Sequence, residues 1–322
     1  MSKDGIELRV RTPPTGESGE PGDALPRQKY YDDDATLRRL GKRPLLKRNF
    51  GFMSILGFSC SSLCSWESLL LTGVPGLVIG GPAGLTWALV FNWIGITSIY
   101  VVLAELSSIA PTSGGQSWQA ISAMVSYLIA TLLQGIIVLA QPTYVPLPWH
   151  TVLMIWAFSL FAALLNSINS RTLAKVEGLI LILHLAGFFG VLVPLVYFAP
   201  HNDSSFVFTS FSNNGAWPTQ AMAFMVGFPT VATALMGADC AVHMSEEIQQ
   251  AATVVPQALM YTIFINGALG FAIVIAMLFC VQDLEGAIAA IETMFYPCLQ
   301  IFASATKSTT GACLMAGIIF TL

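Results

Sequence analysis

Long apolar runs recur along the chain at roughly 50–71, 84–108, 118–140, 149–166, 177–199, 219–240 and 255–280. Each is close to the ~20 residues that a helix needs to cross a bilayer. An eighth run is shorter: 295–305 is apolar, Lys307 interrupts it, and 311–322 holds twelve more residues. At about 1.5 Å of rise per residue, twelve residues cover roughly half of a bilayer. The pattern predicts an all-α polytopic membrane protein, with a polar segment at 1–49 and a transmembrane domain at 50–322 of about seven complete segments and a partial eighth.

Two of the runs are interrupted by polar residues. The first, GFMSILGFSCSSLCSWESLLLTGVPGL, carries Ser59, Ser61, Ser62, Ser65, Trp66 and Glu67 in its middle. The sixth meets Gly237 and Asp239 before it ends, and His243, Glu246 and Glu247 follow. A carboxylate near the centre of a bilayer costs about 2.5–3.5 kcal/mol on insertion scales. A glycine beside it lets a helix unwind and leave backbone groups open. Serine alone has a plainer explanation, since its hydroxyl bonds back to the i−4 carbonyl or joins neighbouring helices. Four serines followed by Trp-Glu are harder to explain that way.

The interrupted segments lie five segments apart, the pattern left by an inverted five-helix repeat whose first helices break at a binding site. A half-helix N-terminus offers N–H groups to a carboxylate, and unwound carbonyls and acids receive a cation. An amino acid suits such a site.

Other candidates are weaker. His184, in GLILILHLAGFFG, reads either as hydrogen-bonded packing or as a proton relay. Glu105 falls at a segment end, where solvation explains it. His243 and Glu246 lack a third partner and the HExxH spacing, so no metal site is expected. Neither a Gly-rich phosphate loop nor a nucleophile–base set is present, so neither a cofactor nor an enzymatic reaction is expected.

Composition agrees: of 322 residues, 55% are hydrophobic and only 10% charged, against about 25% in soluble proteins. Eleven of the fourteen Lys and Arg precede residue 49, so the hydrophobic part has no basic face for a nucleic acid. Residues 1–49 mix Pro, Gly and charge and read as a largely disordered tail without a secretory signal. The cluster Arg38, Arg39, Lys42, Arg43, Lys47 and Arg48 sets the N-terminus in the cytosol, with anionic lipid as a second use. Arg171 and Lys175 then fall in an inner loop, and the loops assigned outside, 72–83, 141–148, 200–218 and 281–294, hold no Lys or Arg. Asn202-Asp203-Ser204 is a glycosylation sequon in one of them. The six cysteines read as small buried hydrophobes, with a Cys280–Cys298 disulfide left open.

GADCAVHMSEEIQQAATVVP (237–256) resembles the sixth-segment signature of the eukaryotic amino acid/GABA/choline permeases, a branch of the amino acid–polyamine–organocation superfamily. ELSSIAPTSGGQ (105–116), the Ser-Trp-Glu of the first segment and AKVEGLILILHLAGFF (174–189) are similar to the same branch, above all to its fungal members. The resemblance covers the chain from about Lys29. It implies a five-plus-five inverted repeat with broken first and sixth helices, and secondary transport of amino acids or related amines by alternating access, driven by protons. It places Ser62, Ser65, Trp66 and Glu67 at the first break and Met236, Gly237, Ala238 and Asp239 at the sixth, as a substrate site. His184 falls near a lysine of proton-coupled members and, with Glu246 and Glu247, takes a coupling or gating role. The implied partners are a small amino acid or amine, H+ and the bilayer, in a plasma or vacuolar membrane. The chain departs from the pattern in three places. Gln116 runs directly into Ser117-Trp118-Gln119, shortening the third helix; Gln257 stands where a basic residue is common; and the sequence stops in the eighth helix, as an incomplete chain would. The alternatives are a seven-helix receptor, which the basic N-terminal cluster disfavours, and a transport-dead regulatory relative.

Overall fold

The computed structural model describes residues 33–113, 119–167 and 170–322. The expected disorder before residue 33 and the shortened junction at 114–118 lie outside the described residues.

After a short helix α1 (Asp33–Arg39), the first apolar run forms α2 (Phe52–Leu63) and α3 (Ser65–Thr72). Helix α4 (Val74–Ile109), α5 (Gln119–Ala140), α6 (Pro148–Asn166) and α7 (Ser170–Phe198) follow, then a short α8 (Ser204–Thr209). The sixth run gives α9 (Gln220–Ala232), a single 3-10 turn to Leu235 and a four-residue α10 (Cys240–His243). Helix α11 (Ala251–Cys280) is continuous through Pro256, and α12 (Leu284–Ala289), α13 (Ile291–Met294), α14 (Pro297–Thr306) and α15 (Thr309–Thr321) complete the order. Among the described residues the one β-type contact is an isolated bridge between Phe50 and Ile248.

Among the described residues, six stretches are long and apolar enough to cross a membrane, with the α2–α3 pair taken together as one. The count differs from the seven segments expected from the runs. Residues 219–240 do not make one helix; an apolar stretch ends at Leu235, and the chain is then extended at Met236. The second run, by contrast, is longer than its apolar pattern, because α4 reaches back to Val74 across a kink. Gly81 holds the kink at φ 75°, next to Pro82, which lacks an N–H to donate. Ser212 N–H donates to the Gly80 carbonyl and Ala83 N–H to that of Ser210, so the 210–212 loop takes up groups freed there.

Helices α4, α9 and α11 pack together, and α2 sits between α7 and α11. Their shared core holds Trp66, Leu69, Leu85, Leu89, Leu259 and Ile263, all buried. Helix α6 buries almost nothing, and Trp156 and Leu160 are 68% and 63% exposed. Apolar faces of this size belong against lipid or further helices. All six cysteines are free thiols.

Asn202, the first residue of the sequon, is engaged within the fold. Asn202 Nδ2 donates to the carbonyls of Leu278 and Val281, and its N–H donates to Phe279 O at 2.7 Å. Leu278 and Phe279 lie in the last turn of α11, whose carbonyls have no partner inside the helix, and Val281 is its C-cap. Asn202 is therefore an external cap. We expect no endoglycosidase-sensitive band, and a loss of about 1–3 kcal/mol in the stability of Asn202→Ala by thermal unfolding, the cost of orphaned buried groups. A band shift that disappears in Ser204→Ala would contradict this assignment.

Candidate functional site

The first interruption is a single residue. Cys64 adopts a left-handed conformation (φ 32°, ψ 49°), its N–H still bonded to Cys60 O, and α3 restarts at Ser65. Such a conformation costs a non-glycine residue of the order of 1–2 kcal/mol. It leaves the first N–H groups of α3 without intrahelical partners. Asn266, in the middle of α11, accepts from Ser65 N–H at 3.3 Å. Ser68 Oγ donates to the Cys64 carbonyl at 2.6 Å, and Ser61 Oγ to that of Phe58 at 3.2 Å. For these hydroxyls the back-bonding explanation holds.

The second interruption is wider. Met236 is extended and Gly237 takes φ 137°, which only glycine adopts readily. Tyr100 of α4 projects its hydroxyl into the gap. The N–H groups of Gly237 and Ala238 both donate to it at 3.1 Å, and it donates to Leu235 O at 3.4 Å. The two breaks lie against each other: a Cβ at Gly237 would stand 2.8 Å from Ser62 O.

Glu67 and His184 come from segments far apart in sequence and meet in the core. His184 Nδ1 lies 2.7 Å from Glu67 Oε1, and the side chains are 1% and 6% exposed. Trp66 is fully buried and rests edge-on against Phe188, with its ring 6.0 Å from that of His184. Among the described residues, six buried side-chain polar atoms have no hydrogen-bond partner. Five of them are Ser65 Oγ, Trp66 Nε1, Glu67 Oε2, His184 Nε2 and Asn266 Nδ2. Each such atom costs about 1–3 kcal/mol, so their concentration around one break sets it apart from ordinary core.

A cavity of about 410 Å³ opens beside α3. Ser62, Cys64, Glu67, Ser68, Thr233 and Met236 form the part nearest the breaks, and further residues of α2 and α3 with α5, α6, α15 and Leu322 supply the remainder. Of the eight residues expected to hold substrate, Ser62, Glu67 and Met236 therefore reach the cavity, and five do not. Ser65 and Trp66 turn into the core, because α3 buries that face against α11 and α7. Gly237 and Ala238 spend their N–H groups on Tyr100. Asp239 points elsewhere, its Oδ2 3.9 Å from His243 Nε2 one turn on, with its side chain 32% exposed. Sequence reasoning missed Tyr100 and Asn266. Asn266 did carry a signal, as a polar amide within an apolar helix. Tyr100 carried none, since an isolated tyrosine is ordinary in such a run.

At the N-terminal face, Glu246 accepts from Lys42 Nζ at 2.8 Å and from Ser113 N–H at 3.3 Å. Lys42 Nζ also donates to Ser113 O. Arg48 Nη1 donates to Ile248 O, and its guanidinium lies within 3.8 Å and 3.3 Å of Asp33 and Asp34. Asp33 in turn accepts from the N–H groups of Gln250 and Ala251, capping α11 from a distant part of the chain. Glu247 contributes its carbonyl, to which Phe50 N–H donates. Residues 33–50 are thus laced across the segment that follows the second break.

Residues 116–322 match the family model described as amino acid permease. The chain is 28% identical over 302 residues to a choline transporter of Saccharomyces cerevisiae, covering 85% of this chain and 53% of that protein. It is 24% identical to amino-acid permease 2 of Neurospora crassa and 26% identical to an uncharacterized amino-acid permease of Schizosaccharomyces pombe. In both cases 84% of this chain and 55% of the relative are covered. The chain thus spans about half the length of these curated relatives.

Two outcomes follow from the geometry. The Lys42 ammonium holds the Glu246 carboxyl below its ordinary value of 4.5. The stabilisation is therefore complete above that value and disappears as pH falls through the depressed one. Hydrogen exchange of residues 33–50, corrected for its intrinsic pH dependence, should accelerate on acidification in the native chain and lose that response in Glu246→Gln. The effect should be small, about 0–1 kcal/mol, because Lys42 is 41% exposed. Removing the hydroxyl in Tyr100→Phe strands two buried N–H groups and should lower thermal stability by about 1–3 kcal/mol for each. An unchanged melting temperature would show that other groups satisfy this break.

Proposed function

The chain belongs to the amino acid permease family, and on that premise we propose that it carries the substrate site of a secondary transporter for amino acids or related amines. The observation that supports this reading most directly is the pairing of the two breaks, Ser62 O against Gly237, beside a cavity that Glu67 lines. An interrupted helix within a membrane protein is tolerated only where it is packed in protein or borders a cavity. Both conditions are met here, and the chain is an integral multi-pass membrane protein by family and by its apolar helices.

In this reading Ser62, Glu67 and Met236 contact substrate, and Cys64, Ser68 and Thr233 complete the wall. Asp239 is assigned to the gate instead, with His243 as its partner. Alternating access would move the element after the second break, and the strap of Lys42, Arg48 and Asp33 holds that element closed at the cytosolic face. Glu246 is a gating contact through Lys42.

Proton coupling rests on His184. Its imidazole and the ammonium of a substrate share one carboxylate, that of Glu67. Protonation of His184 therefore alters the affinity for substrate, and substrate alters proton affinity by the same factor. That linkage is the thermodynamic requirement of a coupled carrier.

The test is uptake of labelled choline, GABA and a panel of amino acids into proteoliposomes, with and without an imposed pH gradient. Glu67→Gln should reduce uptake at least ~10-fold, the equivalent of about 1.4 kcal/mol. His184→Gln should retain downhill uptake while losing its response to the gradient. A gradient response that survives in His184→Gln would remove the histidine from coupling.

A further inference from the structure

Selection among amines and amino acids depends on which charges the cavity can answer. Among the described residues that line it, Glu67 is the single charged side chain, and its Oε2 has no hydrogen-bond partner. The rest of the wall is mostly aliphatic, with hydroxyl, thiol, thioether and aromatic groups among it: Leu128, Leu132, Ser62, Cys64, Met124 and Phe158 are representative. A carboxylate and aromatic faces both attract an organic cation.

A zwitterion needs a second feature, a set of donors for its own carboxylate. In a broken helix these would be the N–H groups at the breaks. Here three of these N–H groups are committed to side chains of other helices. The N–H groups of Gly237 and Ala238 donate to Tyr100 Oη at 3.1 Å, and Ser65 N–H donates to Asn266 Oδ1. The third residue of α3 is Glu67 itself, so a negative charge already occupies the first turn of that helix. There it satisfies the helix dipole from within the protein, and a substrate carboxylate brought to the same turn meets like charge.

We propose that this site selects organic monocations that lack a carboxylate, such as quaternary or primary amines, over zwitterionic amino acids. The proposal rests on the transport-site reading above and narrows its substrate class. Glu67 supplies the counter-charge, the apolar wall receives the alkyl groups, three break N–H groups are taken by Tyr100 and Asn266, and no Lys, Arg or His is among the described residues that line the cavity to answer a carboxylate. Tyr100 acts as a specificity-positioning residue, because it holds two N–H groups away from any ligand without touching it.

The test uses a matched pair of probes: choline, and glycine betaine, which has the same trimethylammonium head with a carboxylate in place of the hydroxymethyl group. Equilibrium binding of each is measured on the purified full chain in lipid nanodiscs, with GABA as a third probe. Choline should bind at least ~10-fold more tightly than either zwitterion. The preference should be lost in Glu67→Gln and retained in Glu67→Asp, which keeps the charge; circular dichroism of both variants verifies that they are folded. Equal or tighter binding of glycine betaine or GABA would overturn the monocation assignment while leaving the transport site in place. Binding of none of the three probes by the folded chain would overturn the transport-site reading and this proposal with it. Choline binding unaltered in folded Glu67→Gln would also overturn the proposal, since the cation would then be held by other groups.

Discussion

Backbone amides within a membrane protein have no bulk water to turn to, and both interruptions in this chain are arranged around that constraint. Each break exposes N–H groups that a continuous helix would have bonded internally, and each is answered by one side chain from another helix. Asn266 reaches from α11 to Ser65, and Tyr100 reaches from α4 to Gly237 and Ala238. The kink at Gly81 follows the same rule, with the 210–212 loop as the partner. Interruption and remedy are thus separate parts of the chain. The breaks hold their shape only while α4 and α11 stay packed against them.

The Glu67–His184 pair adds a second constraint of opposite character. Taking a carboxylate and an imidazole out of water is costly, and one contact between them offsets only part of the cost. Four further buried atoms nearby also lack partners: Ser65 Oγ, Trp66 Nε1, His184 Nε2 and Asn266 Nδ2. A core selected only for stability would have few such groups. They surround Glu67, which lines the cavity, so the local energetic deficit is concentrated at that carboxylate.

The N-terminal strap works at the opposite scale, through ion pairs near the surface whose side chains are 14–53% exposed. Individually such pairs contribute little. The strap gains from combination: a backbone bridge at Phe50–Ile248, the Asp33 cap on α11 and the Lys42–Glu246–Ser113 cluster act on one short segment. A set of many weak contacts comes apart without the disruption of a core.

The runs of about 20 apolar residues were sufficient to determine that this is a helical membrane protein, because the bilayer sets both length and composition. They also placed the two interruptions, since serine clusters, a glycine and buried acids have few other uses in such segments. The direction of each side chain was beyond their reach. Ser65, Trp66 and Asp239 lie in the right stretches and yet face the core or the second break's own helix, because packing of α3 against α7 and α11 selects which face of a turn is buried. The meeting of Glu67 with His184, the reach of Tyr100 and the use of Asn202 as a cap all join residues more than 70 positions apart. Local pattern determined which segments enter the membrane and where they break; only the tertiary packing decided which polar groups meet there, because a hydrogen bond between distant residues leaves no periodicity in either of them.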